Sequence, residues 1–241
     1  MRYVGARALV TASLIVAAQP LHAADPELQS ASFTGCHVGI HGGGVFSTAD
    51  DWTPVTPGGA FIGQSLGSHD LSGAAGGVQG GCDYAFASGL VLGFGAGYTL
   101  TNARGEHAST RETGVSYLSK TDGIGTATVR AGFAWDRVLG FVSAGIAAQQ
   151  DKYWATTTVL GTAFEARETR LGWTVGAGAE VQLTHGLSAF ARYDYADFGT
   201  DRIGLTPQVQ GLRPASVEIT SHTSLLRAGI NLRFGGPGTA R

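Results

Sequence analysis

The chain predicts an all-β fold, an eight-stranded antiparallel up-and-down transmembrane β-barrel with an N-terminal signal peptide. Three observations carry that reading. Past residue 30 the apolar residues recur every second position, the spacing that sends alternate side chains to opposite faces of a strand. Glycine supplies 38 of 241 residues while charged residues are only 14%, against a usual charged share of about a quarter. The links between alternating segments are short and long by turns, the plan of an outer-membrane barrel.

That composition excludes other classes. A disordered chain would be charged and poor in β-branched and aromatic residues. A long-helix protein would lose about 1 kcal/mol at each glycine. Only two lysines occur, Lys120 and Lys152, so no basic stripe exists for nucleic acid. No apolar run reaches the roughly 18 residues of a membrane-spanning helix.

Residues 1–24 read as a cleaved signal peptide. Arg2 and Arg7 form the basic start, Ala8 to Ala18 the apolar stretch, and Leu21-His22-Ala23-Ala24 the cleavage region, with the cut after Ala23 or Ala24. Its removal leaves fourteen basic and eighteen acidic residues. The protein is expected to leave the cytoplasm by the Sec pathway, where cysteines can oxidise. Residues 25–32 are expected as a short periplasmic segment, 33–235 as the barrel and 236–241 as a C-terminal tail.

Eight alternating segments lie near 33–47, 71–87, 89–103, 118–136, 138–154, 166–184, 187–199 and 217–235. In the sixth, Leu171, Trp173, Val175, Ala177, Ala179, Val181 and Leu183 share one parity; Arg170, Thr174, Glu180 and three glycines share the other. The eighth sets Leu226, Ala228, Ile230, Leu232 and Phe234 against Leu225, Arg227, Gly229, Asn231 and Arg233. Short turns are expected at Ala87-Ser88-Gly89, Asp136-Arg137 and His185-Gly186, and longer polar loops near 48–70, 104–117, 155–165 and 200–216. All seven prolines fall in the leader, the termini or the first and fourth long loops. That fits central strands, because proline cannot donate to a ladder.

A membrane barrel turns its apolar parity to lipid. Phe33, Phe46, Tyr84, Phe86, Trp135, Tyr153, Trp154, Tyr195, Phe198 and Phe234 sit near segment ends, where aromatic girdles belong. The polar parity carries Arg130, Arg170, Glu180, Arg192, Asp194 and Arg227 at mid-strand, a candidate lumen charge network. An eight-stranded lumen is just wide enough for side chains to fill. A closed, paired plug is therefore favoured over an anion-selective constriction.

Cys36 and Cys82 are the only cysteines. If the first two strands form a hairpin with residue 47 opposite 71, every opposed pair sums to the same number and the cysteines oppose each other. Opposed side chains on antiparallel strands come close enough for a disulfide, which is the expectation. No cofactor or metal site is expected: His37 and His41 are about 13 Å apart along a strand. Gly63-Gln64-Ser65-Leu66-Gly67, with His69 and Asp70 nearby, matches G-x-S-x-G but lacks the strand and helix a nucleophile elbow needs. No catalytic residues are assigned. His107 lies beside Glu106, and His222 stands alone near the outer end of the last strand. Asp50, Asp51 and Trp52 in the first loop are the first place to look for a ligand.

The chain resembles the porin-family outer-membrane β-barrel proteins of alphaproteobacteria, the 25/31-kilodalton major outer-membrane protein type, over essentially the whole mature length. Phe33-Thr34-Gly35-Cys36-His37-Val38-Gly39 is similar to that family's opening, with His37 in place of a tyrosine. Gly76-Gly77-Val78-Gln79-Gly80-Gly81-Cys82-Asp83-Tyr84 looks like its second strand, and Leu226 to Phe234 its last. Arg227, Gly229, Leu232 and Phe234 also resemble the assembly signal read by the barrel-assembly machinery, although seven residues follow the terminal aromatic. The resemblance implies an integral protein of the bacterial outer membrane, often abundant and surface-exposed; no enzyme is expected, because no catalytic constellation emerges from the residues. Its surroundings would be outer-membrane lipid and lipopolysaccharide, and its transient partners the assembly machinery and periplasmic chaperones. A monomer is the default, since a closed barrel has no free edge. The favoured role is structural, in membrane integrity; the alternatives are a narrow porin for ions or small solutes and a loop-mediated binder or adhesin for haem or a host ligand.

Overall fold

The computed structural model describes residues 33–57, 61–184 and 186–235. The expected signal peptide, the segment 25–32, His185 and the tail 236–241 lie outside the described residues. The strands are β1 Gly35–Pro54, β2 His69–Ala85, β3 Leu90–Thr101, β4 Arg104–Ala108, β5 Val115–Trp135, β6 Val138–Thr157, β7 Gly161–Thr184, β8 Leu187–Pro207 and β9 Ala215–Phe234. Strands β3 and β4 are two parts of one stave, both paired to β5 and interrupted at Asn102 and Ala103. Neighbours in sequence pair antiparallel, and β1 pairs with both β2 and β9. The sheet therefore closes into an eight-stave up-and-down barrel, which leaves no unpaired edge in lipid.

The strands are longer than the alternation suggested. Strands β5 to β9 run 20 to 24 residues, about twice the 9–11 that a tilted crossing needs. The expected loops shrink accordingly. Residues 155–165 become a turn at 158–160, and 200–216 becomes a link at 208–214. Pro54 and Pro207 end β1 and β8 instead of lying in loops.

Two halves divide each long strand. In the half nearest the short turns, apolar side chains face out: Leu171 is 74% exposed and Ile146 65%. A soluble surface does not carry so wide an apolar band; lipid requires it. In the half nearest the long links the pattern reverses. Trp52, Tyr117, Tyr153, Ile203, Ile219 and Leu225 are buried together inside the barrel, and polar residues such as Thr220 and Glu218 face water. Three bulges make the change on their strands. They lie between Asp50 and Thr53 in β1, Thr121 and Gly123 in β5, and Asp197 and Thr200 in β8. Each shifts the parity that faces inward by one residue, as an extra bulge residue must.

The inversion corrects several expectations. Trp52 is not a loop residue but the centre of the upper core, fully buried in β1. Asp50 and Asp51 share that strand, and their side chains lie outside the described residues. Phe33, Tyr153 and Phe198 are buried within the barrel and belong to no girdle. Phe46, Tyr84, Phe86, Trp135 and Phe234 do face outward, at the levels where an aromatic ring meets headgroups.

Cys36 lies opposite Cys82 in the β1–β2 register, and the two are bonded. The bond ties residues 46 apart in sequence. A cross-link of that span constrains the unfolded chain by about 2–4 kcal/mol. The double substitution Cys36→Ser with Cys82→Ser is expected to lower the unfolding free energy of the refolded barrel in a urea titration by that amount. Wild type under reductant should match it, and the native far-ultraviolet β-signal should survive in both.

Candidate functional site

The lumen of the membrane half holds the densest chemistry. At its periplasmic end Asp83 and Glu180 have no exposed side-chain area. Arg130 pairs with Asp83 and reaches Glu180 at 3.2 Å. Arg233 donates to Asp83 at 2.8 Å and to Glu180 at 3.0 Å. Two arginines thus bracket two carboxylates in a closed ring. Ser188 donates to Glu180 at 2.6 Å, and His37 stands 3.4 Å from Asp83. Phe33 covers the end: its carbonyl accepts from Arg233 at 2.6 Å and its ring lies under the same guanidinium. A buried charge is tolerable only when paired and hydrogen-bonded to this degree.

A second layer sits above. Arg227 donates to Asp194 at 2.6 Å, and Arg192 pairs with the same carboxylate. Arg192 also reaches Ser143 at 3.0 Å, while His41 contacts the Thr99 hydroxyl at 3.0 Å. The Phe141 ring lies between Arg130 and Arg192, 5.1 and 5.7 Å from their guanidinium carbons. A third layer contains Gln149, Asp151, Thr121 and Tyr153, mutually hydrogen-bonded. Arg170 is held there by Asp201 at 3.0 Å and by the carbonyls of Gly199 and Ile219.

The six residues singled out from sequence all point inward, but they do not form one network. Arg130 and Glu180 share the lowest ring, Arg192, Asp194 and Arg227 the second layer. Arg170 stands apart in the third. Two members of the lowest ring, Asp83 and Arg233, were missed as partners. The register carries the signal that would have found Asp83: it lies opposite Gly93, which lies opposite Arg130. A glycine between an acid and a base on three adjacent strands lets them meet over the empty position. A Cβ on Gly93 would overlap the Asp83 carboxylate, and one on Gly176 the Asp194 carboxylate.

Above the membrane half, His69 at the start of β2 and His107 in β4 place their Nδ1 atoms 2.7 Å apart. The rings pack against Trp52 and, for His107, stack on Tyr117. At that distance one Nδ1 donates a proton and the other accepts it. Burial, with the neighbouring His107, holds His69 down at about 4 from its ordinary 6.5, and burial lowers His107 as well. His107 therefore faces another histidine, while Glu106 beside it on β4 turns outward. His222 is not alone either: Tyr195 lies 3.1 Å and Asp197 3.6 Å from its Nδ1 on the outer surface. Ser65 of the G-x-S-x-G stretch accepts from Gly67 N–H. Among the described residues no histidine is hydrogen-bonded to it.

The extracellular mouth opens as a cup of about 410 Å³. Leu66, Tyr117, Leu205 and Val217 form its floor and are shared with the upper core. Phe164 and Pro214 stand in its wall, and Glu112 and Arg213 bring charge to it. Tyr117 donates to Glu112 at 2.8 Å.

Residues 8–230 match the family described as the outer membrane protein beta-barrel domain. The chain belongs to that family. It is an integral β-barrel of the bacterial outer membrane, and the lipid-facing belt and polar lumen are the family's physical signature in this sequence. The 31 kDa outer-membrane immunogenic proteins of Brucella melitensis biotype 1 and Brucella suis biovar 1 are each 28% identical over 240 residues, covering 91% of this chain and 91% of their own. The outer membrane protein OprG from Pseudomonas aeruginosa is similar in fold, with a TM-score of 0.52 at 13% identity over 83% of this chain and 97% of that one.

Two outcomes follow from this geometry. Gly93→Leu should drive Asp83 away from Arg130 and cost about 3 kcal/mol, the scale of a broken buried pair. Gly204→Leu, where an added side chain meets nothing, should cost far less in the same urea titration. The histidine pair sets a pH dependence. Each ring binds its proton more weakly folded than unfolded, so its contribution is present above 6.5 and is lost as pH falls from 6.5 toward about 4. Amide protection factors at the β2–β4 junction, referred to the intrinsic exchange rate at each pH, should fall as pH drops through that window in wild type and stay level in a His69→Leu, His107→Leu variant.

Proposed function

We propose that this protein is a closed outer-membrane barrel whose work is structural: it anchors in the outer membrane and holds a rigid extracellular extension above it. The observation that carries this is the lowest lumen ring, where Arg130 and Arg233 bracket the unexposed carboxylates of Asp83 and Glu180. A ring of paired side chains across an eight-stranded lumen leaves no wide water path. The Brucella relatives are outer-membrane immunogens by name, which supports surface exposure of the corresponding extension here. No chemistry is assigned to the lumen, whose hydroxyls and carboxylates are tied into the paired layers. The strand β9 residues Arg227, Gly229, Leu232 and Phe234 are proposed as the signal for the barrel-assembly machinery. In the folded barrel Leu232 and Phe234 face lipid while Arg227 turns inward. The closed sheet supports a monomer.

A second reading, a binder for a small ligand at the outer surface, is favoured by the cup. Its volume falls within the range of small-molecule pockets, and its floor is apolar. The ligand site would be the cup wall and not the Asp50–Trp52 stretch. The narrow-porin reading rests on the arginine excess of the second layer.

Planar-bilayer conductance separates these roles. Wild type is expected to be silent, and Glu180→Ala to show small steps, because removing one carboxylate unpairs Arg130 and Arg233. Reproducible steps in wild type would overturn the closed lumen.

A further inference from the structure

Four cations stand side by side on the outer face of the barrel. Arg104 on β4 lies opposite Lys120 on β5, Lys120 opposite Lys152 on β6, and Lys152 opposite Arg167 on β7. Neighbouring strands are about 4.8 Å apart, so the row extends about 14 Å around the barrel. It contains both lysines of the chain. All four positions alternate with inward-facing neighbours: Ser119 and Thr121 flank Lys120, and Asp151 and Tyr153 flank Lys152, all buried. The four side chains therefore point away from the lumen.

The height of the row matters as much as its charge. Leu171, the most exposed lipid-facing residue of β7, is four positions from Arg167, and Ala148 is four from Lys152 on β6. Four residues cover about 13 Å along a strand, less along the membrane normal once the strand tilts. That carries the row from the edge of the apolar belt into the headgroup layer. It lies on the side of the long links, hence in the outer leaflet.

Like charges directly opposite on adjacent strands destabilise a sheet. Acids within the chain offset only part of this. Asp122, at the β5 bulge, is shared by Lys120 and by Lys152, the latter at 2.5 Å. Glu165 pairs with Arg167 at 3.1 Å. Glu106 and Glu165 occupy the ends of the next row outward, with Leu118 and Trp154 between them. Arg104 has no ion-pair partner among the described residues. A row of four donors with one carboxylate between two lysines leaves room for a second anion.

We infer that the row Arg104–Lys120–Lys152–Arg167 is a binding site for the phosphate groups of an outer-leaflet lipid, a phosphorylated lipopolysaccharide anchor seated against β4 to β7. Lysine and arginine bind phosphate as point charge and planar fork respectively. The apolar belt below the row would take the acyl chains of the same lipid. The site deepens the proposed membrane-anchoring role but needs only the outer-membrane placement, so the conductance record of the lumen leaves it standing either way.

The test uses the full mature barrel, refolded and checked for folding by its heat-dependent gel mobility. Native mass spectrometry would measure retention of bisphosphorylated lipid A, the same lipid enzymatically dephosphorylated, and inorganic phosphate. Wild type should retain the phosphorylated lipid at least tenfold better than the dephosphorylated one and should not hold inorganic phosphate. The Lys120→Gln, Lys152→Gln variant should lose that preference about tenfold, and Arg202→Gln, an exposed cation on β8 away from the row, should keep it. Should the lysine variant not fold, Arg104→Gln serves, with a smaller loss expected. Equal retention of both lipids, no change in the row variants, or tight binding of inorganic phosphate alone would each overturn the inference.

Discussion

Asp83 and Glu180 set the terms for the rest of the barrel. Neither carboxylate has any exposed side-chain area, and an unpaired charge at such a site costs several kcal/mol. Each is therefore met by both Arg130 and Arg233. These four side chains come from four staves, β2, β5, β7 and β9, so the ring exists only when the sheet has closed. Closure in turn is what the bilayer demands, because an open edge in lipid leaves its backbone groups without partners. The lumen charges and the closed hydrogen-bond ladder are thus two faces of one requirement.

Glycine makes the ring possible. Long side chains inside a narrow tube need neighbours without side chains, and Gly93, Gly176 and Gly178 stand where a Cβ would overlap Asp83, Asp194 and Arg192. The unusual glycine content is the complement of the lumen arginines. Above the membrane the solvent changes and so does the rule. Water now surrounds the outer face, and the interior reverts to an apolar core around Trp52, Tyr117 and Tyr153. The bulges in β1, β5 and β8 lie at this change of surroundings, where one extra residue lets a strand present its apolar parity outward below and inward above.

The alternation of β7 and β9 was fully legible in sequence, because a lipid face and a lumen face impose opposite chemistry on adjacent residues. The hairpin register was legible too, since two cysteines whose numbers fit one sum fix it. What escaped was the upper half. A period-two pattern that passes through a bulge loses its phase, so Trp52 and Ile203 read as loop when they are strand. Partner choice inside the lumen also escaped: parity places Arg170 and Arg130 on the same face, but only the register puts Asp201 beside one and Asp83 beside the other. The pairing of His69 with His107 depends on the short strand β4, which glycine and charge disguised as a polar link.

The two halves divide the labour of holding the protein in place. Below, burial of charge against charge closes the tube and leaves the outer face free to be wholly apolar. Above, the same ladder continues with an apolar interior, so the staves extend past the membrane as paired strands, and the longest link is the fourteen residues 55–68 between β1 and β2. The links that remain at 158–160 and 208–214 are short, and short links on a continuous ladder are held by it. What the cell surface meets is thus a rigid collar of strands, whose outward residues are free to vary because neither the lumen ring nor the upper core depends on them. Surface chemistry can therefore change there without unpairing the lumen ring or opening the upper core.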